Sequence, residues 1–229
     1  MLSKETLPLL RGGKNLLAFS GGTDSSALFF LLLQEKIPFD IAIVNYQTRE
    51  QSHEEVAYAH ALADEFKKEC FVLEAKLTEQ NFEAKARQLR YDFFETLIME
   101  HGYSNLLTAH QLDDRLEWLL MQLSKGAGLY ELLGTPSIEI RDEYALIRPL
   151  FEVPKSVLKT FLDENSMLYF DDESNSDVKY KRNFFRHNVA APLLEKYSNG
   201  IKKSFIYLNE DLNELFTQKP DKQTVKELH

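Results

Sequence analysis

Seven residues between two apolar runs, SGGTDSS at positions 20–26, combine the groups needed to hold an anion: hydroxyls, two glycines and one carboxylate. Glycines permit tight backbone geometry and close approach of amide groups, and a helix starting there would add N–H donors and partial positive charge. Ser20, Ser25 and Ser26 supply hydroxyls beside Gly21, Gly22 and Thr23. Asp24 would repel phosphate unless a cation such as Mg2+ stood between them, so the stretch reads as a phosphate and metal site. A well-capped helix start draws on the same residue types. The Walker pattern, in which a lysine follows the glycines, is absent, so any ATP chemistry uses another phosphate grip.

A second constellation lies in AHQLDDRLE, which contains His110, Asp113, Asp114 and Glu117. Asp114 and Glu117 are i, i+3 neighbours, and paired carboxylates on one helical face suit a metal or an ammonium group. An acidic first turn complementing the helix dipole accounts for them equally. In EAKARQLRYDFF, Glu83, Arg87, Arg90 and Phe94 share one helical face. The two arginines could bind phosphates of ATP or RNA, or form a solvated stripe with Glu83. YKRNFFRH places Lys181, Arg182, Arg186 and His187 beside Phe184 and Phe185. That pattern fits a helix gripping RNA phosphates, or an amphipathic connector.

These residues need elements to position them. Apolar runs at 15–19, 39–44, 71–73 and 105–108 read as buried strands, and helical patterns follow at 24–35, 53–68, 81–101 and 112–125. Alternating strands and helices predict an α/β fold: a doubly wound, mostly parallel five-stranded sheet with a C-terminal helical extension. The expected division is a nucleotide-binding domain at 1–150 and a helical extension at 151–229. Ligands bind beyond the carboxyl ends of such strands, where both SGGTDSS and His110 fall.

Composition narrows the classes. With 229 residues, 44% of them hydrophobic, the chain can bury one sizeable core. One cysteine, Cys70, excludes a disulfide framework and a multi-cysteine metal site. No apolar run reaches the roughly 18 to 20 residues that span a bilayer, and the start MLSKETLPLL lacks a signal-peptide core. A cytoplasmic protein without a membrane partner is expected. The net charge of −9 argues against a generally basic RNA-coating protein, yet residues 179–203 carry many cations and a single acid, Glu195.

SGG-x-DS after an apolar strand resembles the pyrophosphate loop of the N-type ATP pyrophosphatases, or PP-loop superfamily. Together with VNYQTR, EAKARQLRYDFF, LLTAHQLDDRLE, KGAGLYELLGT, RPL and DDESNSDVKYKRNFFRH, in that order, it resembles the bacterial tRNA(Ile)-lysidine synthetases over roughly residues 15–194. The resemblance implies a cytoplasmic ligase that joins free lysine to C2 of the wobble cytidine of CAU-anticodon tRNA(Ile). The reaction passes through an adenylated base, releases pyrophosphate and AMP, and changes the codon read from AUG to AUA.

It further implies ATP binding by residues 20–26, Mg2+ at Asp24, and charge neutralisation by Arg87 or Arg90. Lysine would be held by Asp114 and Glu117, its proton accepted by His110 or Asp113, and tRNA bound by Lys181, Arg182, Arg186 and His187. Partners would be that tRNA and L-lysine, with a homodimer left open. Tyr46, Gln111, Trp118, Lys125 and Thr135 depart from the family's usual residues, and the C-terminal extension is expected to be short for the family. Two other readings are a PP-loop tRNA 2-thiolation enzyme, which a single cysteine disfavours, and a non-catalytic nucleotide or tRNA-binding module.

Overall fold

The computed structural model describes residues 1–47, 51–76, 82–170 and 181–215. Arg49 of VNYQTR, the side chains of Glu83 and Lys181, and the stretch 171–180 lie outside the described residues.

The chain runs α1 (Leu7–Gly12), β1 (Asn15–Phe19), α2 (Thr23–Gln34), β2 (Phe39–Asn45), α3 (Gln51–Phe66) and β3 (Cys70–Glu74). Next come α4 (Phe82–His101), β4 (Asn105–Leu107), α5 (Leu112–Leu123), α6 (Leu129–Leu133), β5 (Ile138–Ile140) and β6 (Ala145–Ile147). Then follow α7 (Lys155–Glu164), α8 (Lys181–Phe185), a π-helical turn (Arg186–Ala190) and α9 (Ala191–Leu215). They form two compact units, Met1–Leu112 with Pro136–Asn175, and Asp113–Thr135 with Ser176–His229. The expected division at residue 150 runs along the chain, whereas each unit is assembled from two separate segments.

The first unit is the doubly wound sheet, in the order β3-β2-β1-β4-β6-β5. Every pairing is parallel except β5 with β6. The sheet therefore has six strands where five were expected. Of the six, β5 and β6 were not read as individual strands; each is three residues long, and they pair as an antiparallel hairpin. Alternation places Leu17, Phe19, Ile41, Ile43, Leu107 and Ile147 on one face, under α2, α3 and α7. Leu16, Ala42, Leu106 and Leu146 face the other way, packed with Phe94, Leu97 and Ile98 of α4. Phe29 anchors the first face, its ring 5.0 Å from Phe39, 5.8 Å from Phe66 and 5.9 Å from Phe19.

The buried amide of Asn15 ties down the amino ends of the central strands: its Nδ2 donates to Leu10 O at 2.8 Å and Pro38 O at 2.7 Å. Its Oδ1 accepts from Asn105 Nδ2 at 2.9 Å. The rigid end of the sheet is thus opposite the carboxyl end, where β1 and β4, adjacent strands wound in opposite directions, open the crevice that binds ligands in such folds.

The second unit is helical. Leu116, Leu133, Leu194 and Phe205 are buried, and the Arg115 guanidinium lies 4.2 Å from the Phe205 ring centroid. Helix α9 breaks its helical geometry at Tyr197 (φ −131°, ψ 19°). No helix among the described residues is long and apolar enough to cross a membrane.

Candidate active site

Strand β1 ends at Phe19, and residues 20–22 turn the chain into α2. Gly21 has φ +74°, a conformation in which a side chain is strained, and a Cβ there would meet Phe170 Cδ2 at 3.3 Å. Its carbonyl accepts Phe170 N–H at 2.9 Å, and residues 22 and 170 form an isolated parallel bridge. Phe170 is itself held by Tyr58 of α3, ring centroids 5.7 Å apart, and Tyr58 Oη donates to Leu168 O. Burial pushes the Tyr58 hydroxyl up to about 12. Nothing local in SGGTDSS announces Tyr58 or Phe170, and the long sequence separation hides their role.

Inside the loop the hydroxyls mostly serve its own backbone. Ser25 Oγ accepts from Ser20 N at 3.2 Å and donates to Gly22 O at 3.2 Å, while Ser26 Oγ donates to Gly21 O at 3.1 Å. Thr23, Ser25 and Ser26 are buried, and Ser20 is exposed. The loop consequently offers a ligand the Ser20 hydroxyl and the N-terminal amides of a twelve-residue helix, the combination that receives phosphate.

Asp24, in the first turn of α2, lies 3.9 Å from Lys155 Nζ at the start of α7. The sequence reading missed this lysine, which comes from an element 131 positions away. No group of three His, Cys, Asp or Glu side chains among the described residues forms an all-protein metal cage. Mg2+ rarely needs one: it is commonly held by one or two carboxylates together with substrate phosphates and water. A single carboxylate, Asp24, in the first turn of a twelve-residue helix fits that donor set.

At the neighbouring strand end, Thr108 N donates to Ile147 O at 3.0 Å, and Thr108 Oγ1 lies 2.9 Å from His110 Nδ1, fixing the imidazole. Leu112 N then donates to Val153 O at 3.0 Å, where α5 begins. His110 and residues 20–26 therefore stand at the carboxyl ends of adjacent strands, as the spacing predicts. Arg87 and Arg90 are exposed on α4, whereas Phe94, on the same face, is buried. Arg87 stacks on Tyr91, 4.9 Å from the ring centroid. Tyr46, just beyond β2, donates to Ala86 O at 2.8 Å. Burial raises the Tyr46 hydroxyl pKa, and the charge of Arg90 partly opposes it. Cys70 opens β3, and burial pushes its thiol up to about 11, far from a nucleophilic thiolate.

In the second unit, the carboxylates and the cations of the sequence reading meet one another. Glu117 is 1% exposed. Arg186 Nε donates to its Oε1 at 2.6 Å, and Arg182 Nε to its Oε2 at 3.0 Å. Arg182 Nη2 also donates to Asp114 Oδ1 at 3.0 Å. Asp114 and Glu117, read as an amine site, and Arg182 and Arg186, read as an RNA grip, thus form one cluster. Asp113 is half-buried in the same first turn of α5, and His187 is exposed beside Arg186. Trp118, the next residue on α5, donates from Nε1 to Glu131 O at 2.8 Å. Gly134 packs against its indole so closely that a Cβ would lie 2.6 Å from Nε1.

Residues 3–193 match the family model described as a PP-loop domain. The chain is 48% identical over 227 residues to a tRNA(Ile)-lysidine synthase of Campylobacter jejuni, covering 99% of this chain and 70% of that one. It is 51% identical to the enzyme of the same name from Helicobacter pylori, covering 93% and 63%, and 52% identical to that of Wolinella succinogenes, covering 92% and 64%. The chain therefore spans about two thirds of the length of these relatives. In fold, it is similar to a U34-tRNA thiolase from Methanococcus maripaludis with its 4Fe-4S cluster: TM-score 0.71, 22% identity, covering 93% of this chain and 75% of that one. The match of residues 3–193 to the PP-loop model and this degree of identity lead to one conclusion: the chain belongs to the tRNA(Ile)-lysidine synthase family of PP-loop ligases.

Proposed function

We propose that this chain uses ATP to join L-lysine to C2 of the wobble cytidine of CAU-anticodon tRNA(Ile). The observation that carries the reading is the loop of residues 20–26, closed onto its own hydroxyls so that helix N-terminal amides face the carboxyl edge of the sheet. The ATP β and γ phosphates lie there, on the Ser20 hydroxyl and the amides of α2. Asp24 would hold Mg2+ there, and the ion would supply charge neutralisation for the departing pyrophosphate. The cytidine C2 oxygen attacks the α-phosphate, pyrophosphate leaves, and Arg87 or Arg90 offsets charge at that phosphorus. The ε-amine of lysine then attacks C2, and AMP is expelled.

The amine must lose a proton before it attacks. His110 is one acceptor, fixed through Nδ1 so that Nε2 performs the transfer, and Asp113 is the other. Asp114 and Glu117 attract the lysine ammonium. Their arginine partners hold the two carboxylates in place and present cationic surface to the RNA, and Lys181 and His187 are assigned to tRNA with them. The protein contributes chiefly position and charge, which suits a reaction whose bond changes lie within its substrates. A cytoplasmic setting accords with the substrates, and a homodimer is compatible with it.

The test is incubation with ATP, Mg2+, labelled lysine and unmodified CAU-anticodon isoleucine tRNA. Label is expected in the tRNA, with stoichiometric AMP and pyrophosphate. Incorporation of sulfur or of another amine in its place would overturn the reading.

A further inference from the structure

Trp118 is the chain's only tryptophan, and 44% of it remains exposed although the rest of the side chain is held firmly. Its Nε1 donates to Glu131 O at 2.8 Å. Gly134, at φ +67° and ψ −137°, approaches the pyrrole half of the indole, where an added Cβ would lie 2.6 Å from Nε1 and 2.9 Å from Cδ1. An aromatic side chain that only filled a core would be covered, and one that merely sat on the surface would not need a glycine carved to its edge. This ring is fixed in orientation and still open to solvent.

Its neighbours indicate what it meets. Trp118 is one turn beyond Asp114 on α5, and Arg182, on Asp114, is half exposed. Tyr130 and Phe184, also exposed, belong to the same unit. The same unit carries Arg186, His187, Lys196, Lys202 and Lys203 together with the acids Glu131, Glu195, Glu210, Asp211 and Glu214. An immobilised, partly exposed aromatic face one turn from a carboxylate that carries a half-exposed guanidinium is an arrangement on which an unpaired nucleobase can stack, because every base has a π face and its backbone is an anion. Fixing the ring before binding reduces the ordering cost of the contact.

We propose that Trp118 is a stacking platform for an unpaired base of the RNA substrate. The proposal rests on the tRNA reading above and adds a binding residue to it. As the only indole, Trp118 reports on itself. Titrating the full chain with a fluorescently tagged CAU anticodon stem–loop should quench indole emission in step with binding, while a blunt duplex of the same stem should bind without comparable quenching. Trp118→Thr should raise KM for tRNA roughly 5- to 150-fold with a smaller effect on kcat, and Trp118→Phe should recover part of the loss.

Equal quenching by the duplex, or quenching by ATP and Mg2+ alone, would overturn the platform. So would stem–loop binding, read from the tag, that leaves emission unaltered. If the tagged RNA does not bind at all, the tRNA reading falls and the platform with it; if it binds without touching the indole, only the platform falls. The emission titration uses the unaltered chain, so the outcome does not depend on a variant folding.

Discussion

The phosphate loop of the first unit and the carboxylate–guanidinium cluster of the second are both polar sites at the start of a helix, but they are made in opposite ways. The loop is shaped by backbone geometry and hydroxyls within seven consecutive residues, with one carboxylate at its mouth. The cluster is shaped by charges 65 to 69 positions apart, around a nearly inaccessible Glu117. A site of the first kind can lose its charge and keep its shape. A site of the second kind cannot, because its charges are its structure.

That contrast can be broken experimentally. The largest effect is expected from Asp24→Asn, which should reduce AMP formation by about 10²- to 10³-fold, in the range for loss of one electrostatic stabiliser. The melting temperature should stay within about two degrees of wild type. A large drop in melting would mean that Asp24 supports the loop structurally.

Glu117→Ala should do the reverse and destabilise the fold by about 2 to 3 kcal/mol in urea titration. Removing one partner of a buried pair costs about 3 to 5 kcal/mol, and partial exposure of both arginines reduces it here. Both lysine and tRNA use should fall together, because one cluster holds the groups assigned to each. Unaltered stability would dissolve the distinction between the two sites.

Gly21→Ala should cost about 1 to 2 kcal/mol, from the left-handed backbone and the tight contact with Phe170. Its activity defect should appear in KM for ATP, the sign of a backbone-defined site. The smallest effect concerns Tyr58. Its folded pKa, about 12, lies above the ordinary tyrosine value of 10.0, so the folded state holds the proton more tightly. The stabilisation is fully present below pH 10 and is lost as pH rises through 12. Tyr58→Phe should remove that decline from stability measured between pH 9 and 12, together with the hydrogen bond to Leu168.

Legibility follows the same contrast. Strand β1 was read with its observed bounds, and β2, β3, α2 and α4 within one residue or two, because hydrophobic periodicity is a local signal. β4 is as short as β5 and β6 but was read because it fits the strand–helix alternation, which β5 and β6, two consecutive strands, interrupt. Asp24 could be singled out from its neighbours, whereas Lys155, Tyr58 and Phe170 are ordinary residues in ordinary helices and loops until the fold brings them to residues 20–26. Trp118 stood out as a departure from the family, but only Gly134 and Glu131 explain how it is held.

By itself, then, the sequence determined the alternation of strands and helices, the glycine–hydroxyl turn at residues 20–26 and the family, since each rests on neighbours along the chain or on ordered motifs. Tertiary structure alone decided that Arg182 and Arg186 close on Asp114 and Glu117. Spacing along a helix can place two carboxylates side by side, but it carries no information about which distant cation will share their burial. That choice belongs to the packing of the helices, where a charge withdrawn from water must find its partner.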